Sequence, residues 1–147
     1  MNISALVVVV VLILLAAVHL YWGLGGRWPG HDDQSLVELV VGRTAGMKAP
    51  DFWACLFVTG ALLASAALVA FACGVLATPE LPFAQLIVTL GFWVSCGVFA
   101  FRGFAGFVPG IFRYADGTPF AQLNLIFYSP LCLGIAAGYV LAYIAND

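Results

Sequence analysis

The residues of this sequence that are best suited to chemistry lie inside, or at the ends of, long apolar stretches. His19 and Arg102 stand near the ends of two such stretches, and Asn124 and Tyr128 stand four residues apart in another. An imidazole can move a proton, a guanidinium can bind an anion, and an amide or a phenol can position either group. Ionisable groups in membrane helices are costly and usually face the bundle interior. The pattern therefore predicts a polar binding site or a proton-transfer site among apolar helices.

Tyr21 and Trp22 extend this set, because they follow His19 at the end of the same apolar stretch. We therefore predict six ligand-binding residues: His19, Tyr21, Trp22, Arg102, Asn124 and Tyr128. Simpler interpretations remain open for each residue type. The aromatic rings could form an interfacial belt, the arginine could snorkel to lipid headgroups, and the other groups could form interhelical hydrogen bonds worth about 0.6–2 kcal/mol each. No residue is assigned a catalytic role.

The cysteines and histidines predict neither a metal site nor a bound cofactor. The cysteines occur singly in apolar stretches with no C-x-x-C spacing, which is typical of packing residues. A haem held between two helices needs a histidine on each, whereas His31 lies outside the apolar stretches. We therefore expect no metal and no cofactor.

The elements that must position these residues are predicted from composition and from the length of the apolar stretches. The 147 residues are 64% hydrophobic and 8% charged, whereas a soluble domain has about 25% charged residues. Four stretches, about 3–22, 52–77, 83–104 and 120–144, approach or exceed the roughly 20 residues that a membrane-spanning helix needs. They do not alternate as barrel strands do. The predicted fold is all-α: a polytopic membrane protein whose single domain, 1–147, is an antiparallel four-helix transmembrane bundle.

The connections predict the orientation of this bundle. Four spans place both termini on one side and the polar loops 23–51 and 109–119 on the other. The basic residues all lie at the loop end: Arg27, Arg43, Lys48, Arg102 and Arg113. The positive-inside rule makes that side cytoplasmic. The first stretch is preceded by no Lys or Arg and followed by no A-x-A site, so we expect a retained helix rather than a signal peptide.

Local signals refine the helices. Thr118 and Pro119 are typical of a helix start, with the threonine as a cap. Pro130 is expected to kink the fourth helix by freeing the carbonyl of Ile126. Residues 36–41 could form a short strand or an interfacial helix. Pairs of small residues four apart, Gly60 with Ala64, Ala61 with Ser65 and Gly134 with Gly138, predict close helix packing within the bundle.

Several of these motifs together resemble a known family. The segment 19–29, HLYWGLGGRWP, the Arg102-Gly103 pair, Pro119-Phe120 with Asn124, and Tyr128-Ser-Pro130-Leu are similar to the bacterial membrane-protein family called domain of unknown function 3995. The resemblance covers essentially the whole chain. It implies a four-helix protein of the bacterial inner membrane and supplies no activity.

Three functions are compatible with the sequence. The first is binding of a lipid or small amphiphile at a polar pocket at one end of the bundle. The second is a membrane-embedded enzyme, such as an isomerase acting on a lipid or isoprenoid, although no Asp or Glu lies within a helix interior. The third is a structural subunit of a larger membrane complex. The expected partners are membrane lipid and either a second membrane protein or a second copy of the chain. The low content of basic residues excludes nucleic acid.

Overall fold

The chain is all-helical in the residues that the computed structural model describes, 3–42, 46, 48–108 and 110–146, which confirms the predicted fold class. The helices are α1 (Ile3–Gly23), α2 (Asp33–Val40), α3 (Phe52–Ala72), α4 (Ala84–Ala105) and α5 (Pro119–Ile144). A 3-10 turn, Arg113–Ala115, precedes α5, and the segment Asn124–Tyr128 within α5 is π-helical.

Four of these helices, α1, α3, α4 and α5, are long and apolar enough to cross a membrane. Many large apolar side chains of these helices point away from the bundle. Phe57, for example, has 77% of its surface exposed. Such a surface is unfavourable in water and favourable in lipid. The chain is therefore a multi-pass membrane protein.

The four long helices form an up-and-down bundle. Helix α1 packs mainly on α3 and α4 mainly on α5, and contacts between α1 and α5 and between α3 and α4 close the ring. Contacts between the helices show that neighbours are antiparallel. For example, the Thr59 hydroxyl, near the start of α3, donates to the carbonyl of Ala16, near the end of α1. Up-and-down topology therefore brings the end of α1, the start of α3, the end of α4 and the start of α5 to one end of the bundle, the loop end.

Small residues set two of the close helix contacts. A Cβ on Gly138 of α5 would lie 2.5 Å from Val8 of α1, as the predicted pairing requires. In contrast, a Cβ on Gly60 or on Gly134 would meet no neighbouring atom within 4 Å. A second close approach, which the sequence did not single out, lies between α4 and α5, where a Cβ on Gly103 would lie 2.7 Å from Leu133.

The helix ends differ from expectation at two places. Helix α3 ends at Ala72 rather than at about Ala77, because Gly74 adopts a left-handed conformation with φ of 67°. Pro119 occupies the first turn of α5 as predicted, with Thr118 at the capping position. The Thr118 hydroxyl does not cap the helix, however, because it donates to the carbonyl of Ala115.

Helix α2 settles the conformation of the first long loop, which the sequence left open. Asp32 accepts a hydrogen bond from the Ser35 amide, and the Ser35 hydroxyl accepts one from the Asp32 amide, which forms a capping box. Hydrogen bonds from Ser35, above all from its backbone N–H, hold the pKa of the Asp32 carboxyl below its ordinary value. Leu36 and Val37 are buried, so α2 is packed against the bundle.

Candidate ligand-binding cavity

A π-helical turn in α5 organises the polar residues at the loop end. Pro130 has no N–H to donate to the carbonyl of Ile126, and the turn immediately before it adopts the wider π register, in which the Ser129 N–H donates to the carbonyl of Asn124. Where the sequence predicted a kink at Pro130, the structure has a π turn over Asn124–Tyr128. In a regular α-helix, residues five apart point in different directions. The wider turn brings the side chains of Asn124 and Ser129 together.

These two side chains bind Arg102 of α4. The guanidinium donates through Nη2 to Asn124 Oδ1 at 2.7 Å and, more weakly, through Nη1 to Ser129 Oγ at 3.5 Å. The Ser129 hydroxyl donates to Asn124 Oδ1 at 3.2 Å, and Asn124 Nδ2 donates to the carbonyl of Gly106 at 3.4 Å. Asn124 and Ser129 are 2% and 0% exposed. Arg102 is therefore fixed by a buried network of uncharged groups.

The positive charge of Arg102 has no counterion in the part of the chain that the structure describes. The ion pair found there joins Arg27 to Asp33, which are both at the surface. The guanidinium carbon of Arg102 instead lies 4.8 Å from the centre of the Phe112 ring, and an aromatic face compensates only part of a charge. Because an ionised group inside a membrane protein is normally paired, Arg102 is available to bind an anion.

Arg102 opens into a cavity of about 610 Å³ that is lined by all four spanning helices. Such a volume is typical of small-molecule sites. The wall also includes Val40 of α2 and Val41 and Pro50 of the first loop. The residues contributed by the spanning helices are Leu15, Val18, His19, Trp22, Ala54, Cys55, Val58, Leu62, Phe99, Arg102, Phe120, Tyr128, Leu131, Cys132 and Ile135.

The strongly polar side chains of the lining lie toward the loop end of the cavity, together with the apolar residues Val40, Val41, Pro50 and Phe120. In each helix that contributes a polar group, that group lies nearer the loop end than the apolar residues that follow it into the membrane. His19 lies one turn beyond Leu15 in α1, and Arg102 lies one turn beyond Phe99 in α4. The same order holds in α5, which runs the opposite way, because Tyr128 precedes Ile135. The cavity therefore has a mouth that contains both polar and apolar groups and a floor that is apolar.

His19 presents its ring to the mouth of this cavity. Nδ1 lies 2.8 Å from the carbonyl oxygen of Leu15, and since a carbonyl can only accept, Nδ1 carries the proton of that hydrogen bond. The ring also packs edge-on against Trp22, with 5.0 Å between ring centres. These contacts fix the ring and leave Nε2 as the atom that can interact with a ligand.

Helix α2 closes the mouth on the loop side. The Tyr128 hydroxyl donates to the carbonyl of Leu39 at 3.0 Å, which ties α2 to α5. Beyond α2, Gly42 has a φ of 86°, and a Cβ there would lie 2.5 Å from Ala115 and 2.7 Å from Phe120. Only glycine fits this backbone at this distance. The first loop is therefore packed onto the start of α5, where it covers part of the cavity.

Of the six predicted residues, the structure places His19, Trp22, Arg102 and Tyr128 on the wall of this cavity. Asn124 stands behind Arg102 and lines a neighbouring cavity of about 640 Å³, together with Phe112, Arg113 and Asp116. Tyr21 lies apart from both cavities. It is 47% exposed, and its ring fills the space that a side chain on Gly26 would need.

Sequence reasoning missed Ser129, Gly106 and Phe112, the other three groups that fix Arg102. Ser129 and Gly106 are small residues of ordinary type, and no periodic pattern separates them from other small residues in the same helices. The position of Ser129 beside Pro130 is the one available signal, because a proline in a helix interior often accompanies a π turn or a freed carbonyl.

The other basic residues that the structure describes at the loop end do not contact the Arg102 network. Arg27 donates to Asp33, while Lys48 and Arg113 are exposed. Arg43 lies outside the described residues. No group of three His, Cys, Asp or Glu side chains within the described ranges is arranged to hold a metal ion.

Comparison with known protein families matches residues 12–139 to the family described as "Protein of unknown function (DUF3995)". Neither a curated protein nor a solved structure matches the chain. The match covers the cavity-lining residues from Leu15 to Ile135 and confirms the resemblance carried by the motifs around His19, Arg102 and Tyr128. The chain therefore belongs to the DUF3995 family, whose function is unknown.

Proposed function

We propose that this protein binds a lipid or small amphiphile, with the headgroup at Arg102 and the apolar part in the cavity between the four helices. The carrying observation is the cavity's polarity: a charged side chain without a counterion in the described chain lies at the mouth, and the floor is apolar. An amphiphile has the same division between head and tail. Binding would supply Arg102 with additional polar partners and fill apolar space that would otherwise lack contacts.

The proposed setting is the bacterial inner membrane, with the loop end on the cytoplasmic side. The basic residues of both long loops support this orientation through the positive-inside rule. Cysteine-reactive reagents that do not cross membranes provide the test, applied to a variant carrying Lys48→Cys, a position that is exposed. Labelling in intact cells would contradict the orientation, and labelling only in inverted vesicles would support it.

Native mass spectrometry of the protein released from a mild detergent tests the binding function. We expect the wild-type protein to retain a membrane amphiphile and Arg102→Gln to lose most of it, because glutamine keeps a polar side chain but removes the charge. Arg27→Gln is the matched control, since Arg27 is an exposed arginine at the same end whose partner is Asp33. Equal retention by wild type and Arg102→Gln would contradict the proposed role of Arg102.

A further inference from the structure

We infer that the occupant is an amphiphile with a single apolar chain and an anionic headgroup, and that the headgroup is bound between Arg102 and His19. This inference rests on the proposed function and specifies the chemical class of its ligand. It also makes binding depend on the protonation of His19, because a protonated imidazole donates to an anion and a neutral one does not offer that N–H.

The charge of the headgroup follows from the groups that face the mouth. The titratable and charged side chains on the cavity wall are His19 from α1, Cys55 from α3, Arg102 from α4, and Tyr128 and Cys132 from α5. Among the described residues the wall contains no carboxylate, and α2 contributes only Val40. A cationic headgroup would meet Arg102 with no negative group to offset the repulsion, whereas an anion would supply the absent counterion.

His19 is the second headgroup contact because of its tautomer. Its Nδ1–H is held by the carbonyl of Leu15, so the imidazole can add a proton only at Nε2. Histidine is the side chain whose ordinary pKa allows its charge to change between about pH 5 and 8. Tyrosine and cysteine stay neutral and arginine stays charged over most of that range. Protonated His19 would therefore add a second donor and a second positive charge to the mouth.

The number of apolar chains follows from the size of the floor. The cavity measures about 610 Å³, including its mouth. It extends along α3 from Ala54 to Leu62, which is about 12 Å at 1.5 Å per residue. The floor is lined by Leu15, Val58, Leu62, Phe99, Leu131 and Ile135. A space of this size matches one alkyl or isoprenoid chain better than the two acyl chains and headgroup of a phospholipid.

Calorimetric titration with dodecane-1-sulfonate tests the inference, using the full-length protein in phosphatidylcholine nanodiscs and subtracting the signal from empty nanodiscs. A sulfonate remains anionic between about pH 5 and 8, so a pH effect on its binding originates in the protein. Dodecan-1-ol is the uncharged probe with the same chain, and phosphatidylglycerol added to the nanodiscs is the anionic competitor with two chains.

We expect the dissociation constant of the sulfonate to increase about five- to ten-fold from about pH 5.5 to pH 8, a coupling within the range of linked binding sites. His19→Gln should abolish this pH dependence, and His31→Gln, the matched control in the exposed loop, should leave it unchanged. Dodecanol should bind more weakly, and phosphatidylglycerol should not compete.

Three results would overturn the inference while leaving the proposed function intact: equal binding of dodecanol and sulfonate, full competition by phosphatidylglycerol, or a pH dependence that persists in His19→Gln. Failure of every probe to bind would contradict both. NMR titration of the imidazole in the wild-type protein provides a readout that does not rely on a variant. Binding of the sulfonate must change the imidazole signals of His19 if the headgroup contacts its ring, and unchanged signals would also overturn the inference.

Discussion

Two polar clusters lie within the apolar bundle, and they differ in charge and in surroundings. The cluster at the loop end contains Arg102, Asn124 and Ser129 and borders a cavity. The cluster in the middle of the bundle is uncharged: the Ser65 and Ser95 hydroxyls are 3.1 Å apart, and the Tyr139 hydroxyl donates to the carbonyl of Ser65 at 3.4 Å. Polarity within a membrane helix is therefore common to both clusters and does not by itself indicate a site.

The surroundings of the two clusters indicate which one has only a structural role and which one could bind a ligand. Tyr139 is 0% exposed, with its ring packed 4.9 Å from that of Phe92, measured between ring centres. Its cluster is neutral and internally hydrogen-bonded, which is sufficient to hold α3, α4 and α5 together. In the cluster of Arg102, Asn124 and Ser129 likewise hold helices together through hydrogen bonds. This cluster also carries a positive charge that the described protein groups do not neutralise. That additional charge is what points to a ligand.

The largest effect on stability is expected from a substitution of Gly106, which packs against Ser129 and Asn124 of the charged cluster. A Cβ at this position would overlap Ser129 Oγ, so Gly106→Ala should separate α4 from α5 and break the bonds to Arg102. We expect a loss of about 2–4 kcal/mol in the free energy of unfolding, measured in mixed micelles with increasing dodecyl sulfate. Gly97→Ala within α4 is the control, because Gly97 has open space around it. Equal effects of the two variants would show that the α4–α5 contact is not tight.

An intermediate effect on the free energy of unfolding is expected from removing one polar side chain from each cluster. Asn124→Ala removes the shorter of the two hydrogen bonds that Arg102 donates to side chains and should destabilise the protein by about 2 kcal/mol. Ser65→Ala removes a neutral hydrogen bond between helices, for which about 0.6 kcal/mol is typical. The same unfolding assay checks both. A larger loss for Ser65→Ala than for Asn124→Ala would reverse the ranking of the two clusters.

The smallest effect on stability is expected from removing a tyrosine hydroxyl from each region. Both hydroxyls donate to a backbone carbonyl. Tyr128→Phe and Tyr139→Phe should each change the free energy of unfolding by about 1 kcal/mol or less. Their local effects should differ, because the Tyr128 hydroxyl is bonded to Leu39 of α2. Amide hydrogen exchange in residues 33–40 should therefore accelerate in Tyr128→Phe and stay at the wild-type rate in Tyr139→Phe. Unchanged exchange in both variants would show that this bond does not hold α2 on the bundle.

Much of the fold could be predicted because apolar length is a local property of the sequence. The stretches around residues 3–22 and 120–144 predicted helices close to α1 and α5 as observed. The end of α3 was predicted too late, because the apolar stretch continues beyond the point where Gly74 turns the backbone. The site was harder to predict. His19, Trp22, Arg102 and Tyr128 share a cavity, while Tyr21, the immediate neighbour of Trp22, points away from it.

The sequence by itself determined that the chain crosses a membrane as helices, because lipid offers no hydrogen bonds to an exposed backbone and the apolar stretches have the length of a bilayer. It also determined which polar residues would meet at the loop end, since the number and direction of the helices follow from the stretches. Only the tertiary structure decided which of those residues face a common space. That outcome depends on the π turn before Pro130 and the close contact at Gly106, where a shift of one residue in hydrogen-bond register redirects the side chains.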